Sequence, residues 1–195
     1  MKHAVRHLAL AFTFIFATVL VVSAGELEDK LLDAAMNGYT DNVRSLIAQG
    51  ANVNARRPGG STALISAASN GRMEIVKILI EKGADVNAYD QYGRTALLRA
   101  ANSVGHIEII KLLIDNGANM ESKDEYGRTA LMQAVSSARN ANAVRTLIEK
   151  GANVNAKNKM GDTALSMSEG IIPENANETA RRKEISQILR KAGAR

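Results

Sequence analysis

Residues able to do acid–base or metal chemistry are few in this chain. It has three histidines and no cysteine, and since His3 and His7 stand at the extreme N-terminus, His106 is alone in the body of the sequence. One histidine without a thiol excludes a Cys/His zinc site and makes any Ser-His-Asp triad depend on His106. No Gly-x-x-x-x-Gly-Lys-Ser/Thr phosphate loop occurs, and no Gly-x-Gly-x-x-Gly follows a strand pattern. Carboxylates remain, but Asp90 and Asp124 each stand three residues before a turn glycine, where capping a loop is the expected use of Asp. What the sequence does concentrate is the chemistry of contact. Tyr89, Gln91, Tyr92, Arg94, Arg99 and Asn102 fall in one stretch, and Glu125, Tyr126, Arg128 and Gln133 in the next. Tyr and Arg combine rigid aromatic area with multidentate charge, the types enriched where proteins bind proteins. These residues are the expected partner contacts; no catalytic residue, metal or cofactor is expected.

The elements that must position them follow from a repeat. Gly-x-Thr-Ala-Leu occurs at Gly60–Leu64, Gly93–Leu97, Gly127–Leu131 and Gly161–Leu165, with the threonines 33, 34 and 34 residues apart. A second phrase keeps the same step: Gly50-Ala51-Asn52-Val53-Asn54, Gly83-Ala84-Asp85-Val86-Asn87, Gly117-Ala118-Asn119-Met120-Glu121 and Gly151-Ala152-Asn153-Val154-Asn155. Such periodicity means stacked supersecondary units that bury a continuous core between neighbours. Within a unit, Thr62 is placed to cap a helix whose Leu64, Ala67 and Ala68 share one face. Asn70-Gly71 breaks it, and Ile75, Val76, Leu79 and Ile80 mark a second helix that Gly83 ends. An extended Asp85–Ala88 stretch and a turn at Asp90–Gly93 are expected to lead to the next threonine. With no long alternating pattern, the fold class is an all-α solenoid of helix-turn-helix units joined by hairpin loops.

With both phrases in phase, the chain resembles ankyrin-repeat proteins, whose period is about 33 residues and whose motif is Thr-Pro-Leu-His-x-Ala. The likeness extends from about Glu26 to Ala194. Alanine replaces the proline at Ala63, Ala96, Ala130 and Ala164, and the histidine position holds Ile65, Leu98, Met132 and Ser166. The network that histidine makes in the family is therefore expected to give way to apolar packing. The resemblance gives His106, in Gly105-His106, a structural role at the start of a second helix. It also implies non-enzymatic protein binding through hairpin tips and the concave face of the first helices. On that face lie Ser66, Arg99 and Gln133, with Asn102 and Ser103 nearby.

Five repeats are expected, at about 25–54, 55–87, 88–121, 122–155 and 156–195. The ends differ from the middle in the way uncovered ridges require. Asn42 stands where the middle repeats have Ile75, Ile109 and Ala143, and Ser186 and Arg190 replace the apolar pairs Val76/Ile80 and Ile110/Ile114. The last repeat is longer, and Pro173 is placed to open an extended terminal helix. In the fourth repeat Asn140, following Arg139, replaces the turn glycine and is expected to take its left-handed conformation.

Residues 1–24 read as a secretory signal. Lys2 and Arg6 precede the apolar run Leu8 to Val22, which is shorter than the ~20 residues of a membrane span, and Val22-Ser23-Ala24 suits cleavage before Gly25. A periplasmic or secreted protein is expected, and the absence of cysteine suits an oxidising compartment. The formal charge of +5 is concentrated at the C-terminus, where Arg181, Arg182, Lys183, Arg190, Lys191 and Arg195 face Glu184. The remainder is close to neutral, which argues against nucleic acid as a partner. The expected function is a monomeric protein-binding module of the cell envelope. An inhibitor or immunity-type partner of an exported enzyme or toxin is an alternative, as is a membrane-tethered scaffold. Membrane contact is expected only if the N-terminal segment stays attached or through the basic terminal helix, which would otherwise tune association rate and salt dependence.

Overall fold

The computed structural model describes residues 25–136, 140–170 and 175–195. Residues 1–24, on which the expected secretory signal falls, and the residues Arg139 and Pro173 lie outside them. Ten helices are present among the described residues: α1 (25–37), α2 (Thr40–Ala48), α3 (Ala63–Ser69), α4 (Met73–Glu81), α5 (Ala96–Asn102), α6 (Ile107–Asp115), α7 (Ala130–Ser136), α8 (Ala141–Glu149), α9 (Ala164–Gly170) and α10 (Ala176–Lys191). They form two layers. α3, α5, α7 and α9 pack in succession, α2, α4, α6, α8 and α10 make the second row, and each pair from α3/α4 to α9/α10 packs within its unit.

Helices α3, α5 and α7 have seven residues each, well below the ~12–15 at which isolated helices become marginally stable. Their stability comes from packing. Ala63, Ala67 and Ala68, Ala96, Ala100 and Ala101, and Ala130 and Ala134 are all buried, and side chains this small let neighbouring helices approach closely. Ile65, Leu98 and Met132 are buried too, so apolar packing does take the place of the family histidine. In the last repeat Ser166 is exposed, and its hydroxyl closes back on the Thr163 backbone. The threonine caps form: Oγ1 of Thr62, Thr95 and Thr163 accepts from the N–H of Ile65, Leu98 and Ser166 at 3.2, 3.3 and 3.2 Å.

Between units the hairpins stack through backbone bonds. Gln91 N–H donates to the Gly59 carbonyl, Glu125 N–H to that of Tyr92, and Lys159 N–H to that of Tyr126, at 2.8, 2.8 and 3.0 Å. The turn glycine is what permits this closeness. At Gly127 φ is +77°, and a Cβ there would stand 2.8 Å from the Lys159 nitrogen. The second recurring phrase makes another cross-repeat joint. Asn54 donates to the Gly83 carbonyl and accepts from Asp85 N–H, and Asn87 repeats this with Gly117 and Asn119. Glu121, in the same register, accepts from Asn153 N–H at 2.9 Å but has no donor to give.

Four local expectations are corrected. Asp85–Ala88 is a turn rather than extended, because the Asp85 carboxylate accepts from Asn87 N–H and the Asp85 carbonyl from Ala88 N–H. Asn140 has φ −114°, not the left-handed conformation. It is buried, and its amide donates to the carbonyls of Ala101 and Ser103 in the preceding repeat, a tie that glycine could not make. Helix α10 begins at Ala176 with the Asn175 side chain accepting from Glu178 N–H, so an asparagine cap sets its start. Finally, Arg182 is not on the solvated basic face: it is buried and bonded to Glu178 at 2.6 Å. Arg190 is exposed but paired with Glu169 at 2.7 Å.

Leu113 is fully enclosed in the core that runs through all units, whereas the Glu125 side chain is on an exposed tip. Leu113→Ala should therefore cost about 2–5 kcal/mol and Glu125→Ala less than about 0.5 kcal/mol in a urea titration. Equal losses would contradict the stacking described.

Candidate functional site

Each middle hairpin is built round a buried carboxylate. Asp90 is 4% and Asp124 5% exposed. Asp90 Oδ1 accepts from the N–H groups of Tyr92 and Arg94 at 2.9 and 3.0 Å, and Asp124 Oδ1 from those of Tyr126 and Arg128 at 2.9 Å each. One oxygen thus satisfies two donors of the turn. The other oxygen faces side chains. Asp90 Oδ2 takes Arg94 Nε at 3.0 Å and Arg99 Nη2 at 3.1 Å, while Asp124 Oδ2 takes Arg128 Nε at 2.9 Å and Gln133 Nε2 at 2.8 Å. Burial pushes the Asp90 carboxyl up, but the bonds from the Arg94 and Tyr92 backbone and from the Arg94 guanidinium outweigh it and hold the group below its ordinary value.

The tyrosines complete the clamps. The guanidinium of Arg94 lies over the Tyr92 ring at 4.3 Å from its centre, that of Arg128 over Tyr126 at 4.8 Å, and that of Arg56 over Tyr89 at 5.6 Å. The rings stay accessible, with Tyr89, Tyr92 and Tyr126 at 59%, 40% and 57% exposure. Arg94 and Arg128 are thereby held from two sides.

Arg94, Arg99, Asn102, Arg128 and Gln133, five of the residues singled out in the sequence, line one cleft of about 160 Å³ on the first-helix side, with Leu98 and Ser136. Tyr89, Gln91, Tyr92, Glu125 and Tyr126 are not in its lining; they lie on the tips beside it. Gln133 is only 5% exposed and is spent on Asp124, so it belongs to the cleft wall rather than to the free surface. The capping of loops expected of Asp90 and Asp124 is what the structure shows; sequence reasoning missed Leu98 and Ser136 in the cleft lining and the hold of each carboxylate's second oxygen on the cleft side chains. The available signal was the recurrence of Asp four residues before Arg in two consecutive repeats. A larger hollow of about 380 Å³ at the N-terminal end includes Lys30, Tyr39, Asn42 and Gln49, but it collects end-cap residues without a converging set of donors.

His106 is apart from this site. It packs against Gly71, and burial lowers its pKa against the opposing hydrogen bond with the Ala68 backbone, which favours the neutral ring. Its Nδ1 is enclosed without a hydrogen-bond partner among the described residues. The role this supports is packing between the second and third repeats.

Paired short helices, stacked hairpins and a cleft of arginines on the first-helix side define a helical repeat solenoid whose framework recurs while its surface residues vary. The chain belongs to the ankyrin-repeat family: the family model described as Ankyrin repeats (3 copies) matches residues 31–124 and 105–168. No match is found among curated proteins. Ankyrin repeats are a protein–protein interaction fold and not an enzymatic one, so the chain is an interaction module.

Asp90 makes a pH-dependent contribution of known sign. A carboxyl held low in the fold stabilises fully above the unfolded value of about 3.9 and loses that contribution as pH falls through its folded value. Asp90→Asn should cost about 1–3 kcal/mol near pH 7, less than a fully buried pair because both guanidiniums reach solvent. The deficit relative to the parent, read from urea midpoints, should shrink as the pH falls below the unfolded value of about 3.9. A deficit unchanged by pH would show that the Asp90 charge is not what matters.

Proposed function

We propose that this module binds a partner protein through its third and fourth repeats, with the arginine cleft at the centre and the Tyr89, Tyr92 and Tyr126 tips as flanking contacts. The observation that carries the reading is the convergence of Arg94, Arg99, Asn102, Arg128 and Gln133 on one cleft beside exposed tyrosines. Two of these arginines are fixed by a carboxylate and a ring before any partner arrives, so little side-chain entropy remains to be lost on docking. The mechanism is rigid complementarity, with the chain acting as a monomer. Arg181, Lys183 and Lys191 on α10 are exposed, as is Arg195 beyond its end, which suits an influence on association rate more than a binding centre.

The N-terminal segment supports a further reading, that the module works outside the cytoplasm after cleavage before Gly25. An inhibitor or immunity-type partner of an exported enzyme or toxin is one form such a module would take, and a membrane-tethered scaffold is another if the segment is retained. N-terminal sequencing of the protein from its host should give Gly25 or a close neighbour, with recovery in the soluble envelope fraction. An intact Met1 on a protein that stays with membranes through a salt wash would favour the tethered form.

The binding surface has its own test. With a partner in hand, Tyr92→Ala and Tyr126→Ala should each weaken binding by more than about 1 kcal/mol in calorimetry while leaving the thermal melt nearly unchanged. Full affinity after both changes would move the interface elsewhere on the array.

A further inference from the structure

The charges lining the cleft do not balance, and the imbalance is traceable to one residue. Arg94 is matched by Asp90 and Arg128 by Asp124. In the fourth repeat the remaining position on the carboxylate is filled by the neutral amide of Gln133; in the third repeat it is filled by a second cation, Arg99. Three guanidiniums over two carboxylates leave one positive charge, and Arg99 is the surplus. It is also under-satisfied. Among the described residues its guanidinium has a single hydrogen-bond partner, Asp90 at 3.1 Å, and its Nε is enclosed with none. A guanidinium carries five donors in a planar fork, and its side chain here is still 34% exposed. Arg94 and Arg128, by contrast, each have a carboxylate on Nε and a tyrosine ring against one face.

We infer that the cleft is a subsite for one carboxylate side chain, Asp or Glu, presented by the bound partner protein and received by Arg99. The inference rests on the interface proposed above and names what that interface recognises. Size limits the occupant: about 160 Å³ is the share of roughly five waters, below the ~300 Å³ at which small-molecule pockets begin. It has room for one side-chain terminus rather than a free ligand. Charge limits it further. A single surplus cation matches a monoanion, whereas a phosphate dianion would remain half uncompensated a short distance above the Asp90 and Asp124 oxygens. The fork geometry suits the planar two-oxygen acceptor that a carboxylate offers. Asn102 and Ser136, also in the lining, add neutral hydrogen-bonding capacity that does not alter the charge match.

The test is to follow the arginine Nε–H signals of the ¹⁵N-labelled protein while adding a blocked hexapeptide with a central Glu on Gly/Ser flanks. It is taken to about 10 mM, a level that fills most sites even at a Kd of about 1 mM. Parallel titrations use the same peptide with central Gln, and inorganic phosphate. The Arg99 signal should shift saturably with the Glu peptide and several-fold less with Gln or phosphate. Arg99→Lys keeps the charge but loses the fork, and should weaken the Glu peptide by about fivefold while its melt still reports a folded array. Equal shifts from Gln and Glu, a larger response to phosphate, or no shift at all would each overturn the proposal. The two readings fail separately. If the tyrosine variants lose a partner while the Glu peptide leaves Arg99 unmoved, the interface stands and the carboxylate subsite falls. If the peptide moves Arg99 while the tyrosine variants bind at full strength, the subsite stands and the interface assignment falls.

Discussion

The buried carboxylate of each middle hairpin is the interaction on which both the stacking of these loops and the shape of the site depend. A hairpin tip that must pack against the next tip cannot leave its turn N–H groups to water, and Asp90 and Asp124 meet that demand from inside. Having placed a charge beneath the surface, the loop must then balance it, and the arginine four residues on does so. The two outer hairpins are built differently. Asn158 uses its amide oxygen on the N–H groups of Met160 and Asp162, and Arg57 reaches back to Asp29 and Asp33 of α1. Among the described residues only the two middle hairpins, those of the third and fourth repeats, therefore carry an Asp–Arg pair within the turn, and the arginine cleft lies where those two hairpins adjoin.

If the proposed interface is the one used, fold and recognition draw on the same atoms. The second oxygen of each carboxylate, not needed by the turn, orients the side chains that line the cleft, and the tyrosines at the tips press on the arginines from outside. Recognition surfaces on solenoids are extended and shallow, so affinity depends on how little must be ordered when a partner arrives. Here much of that ordering is done by the loop's own need to be satisfied. The cross-repeat asparagine joint works in parallel on the other side of the loops, and its weaker form at Glu121 falls between the third and fourth repeats. At this joint the two repeats that share the cleft lack the side-chain donor their neighbours have, while Asn140 ties them together elsewhere.

Much of this was legible in the sequence. The 33-to-34-residue step fixed the unit, the threonines their caps, and the polar replacements at Asn42 and Arg190 the ends of the array. The tip and concave residues were identifiable because they vary against a constant framework, and half of them prove to share a cleft. What periodicity could not reveal was which polar side chains turn inward. Gln133 and Arg99 occupy equivalent positions, yet one is buried and neutral and the other half-open and charged, because each answers to a carboxylate nine residues earlier. Analogy with glycine predicts a left-handed Asn140, whereas its amide reaches back to carbonyls of the previous repeat. Charge alone places Arg182 on the basic surface, whereas its i−4 neighbour Glu178 lets it be buried. In each case a pairwise contact decided the outcome, and a one-dimensional pattern does not contain it.

The central claim is that the hairpin carboxylates hold the cleft arginines in place before anything binds. ¹⁵N relaxation of the arginine Nε–H groups measures this directly in the free protein. Arg94 and Arg128, each held by a carboxylate and a ring, should show order close to that of rigid backbone, about 0.85, with Arg99 between them and the exposed Arg181 of α10, which should fall below about 0.6. Cleft arginines as mobile as Arg181 would mean that the site is not preorganised, and that the buried carboxylates serve the turns alone.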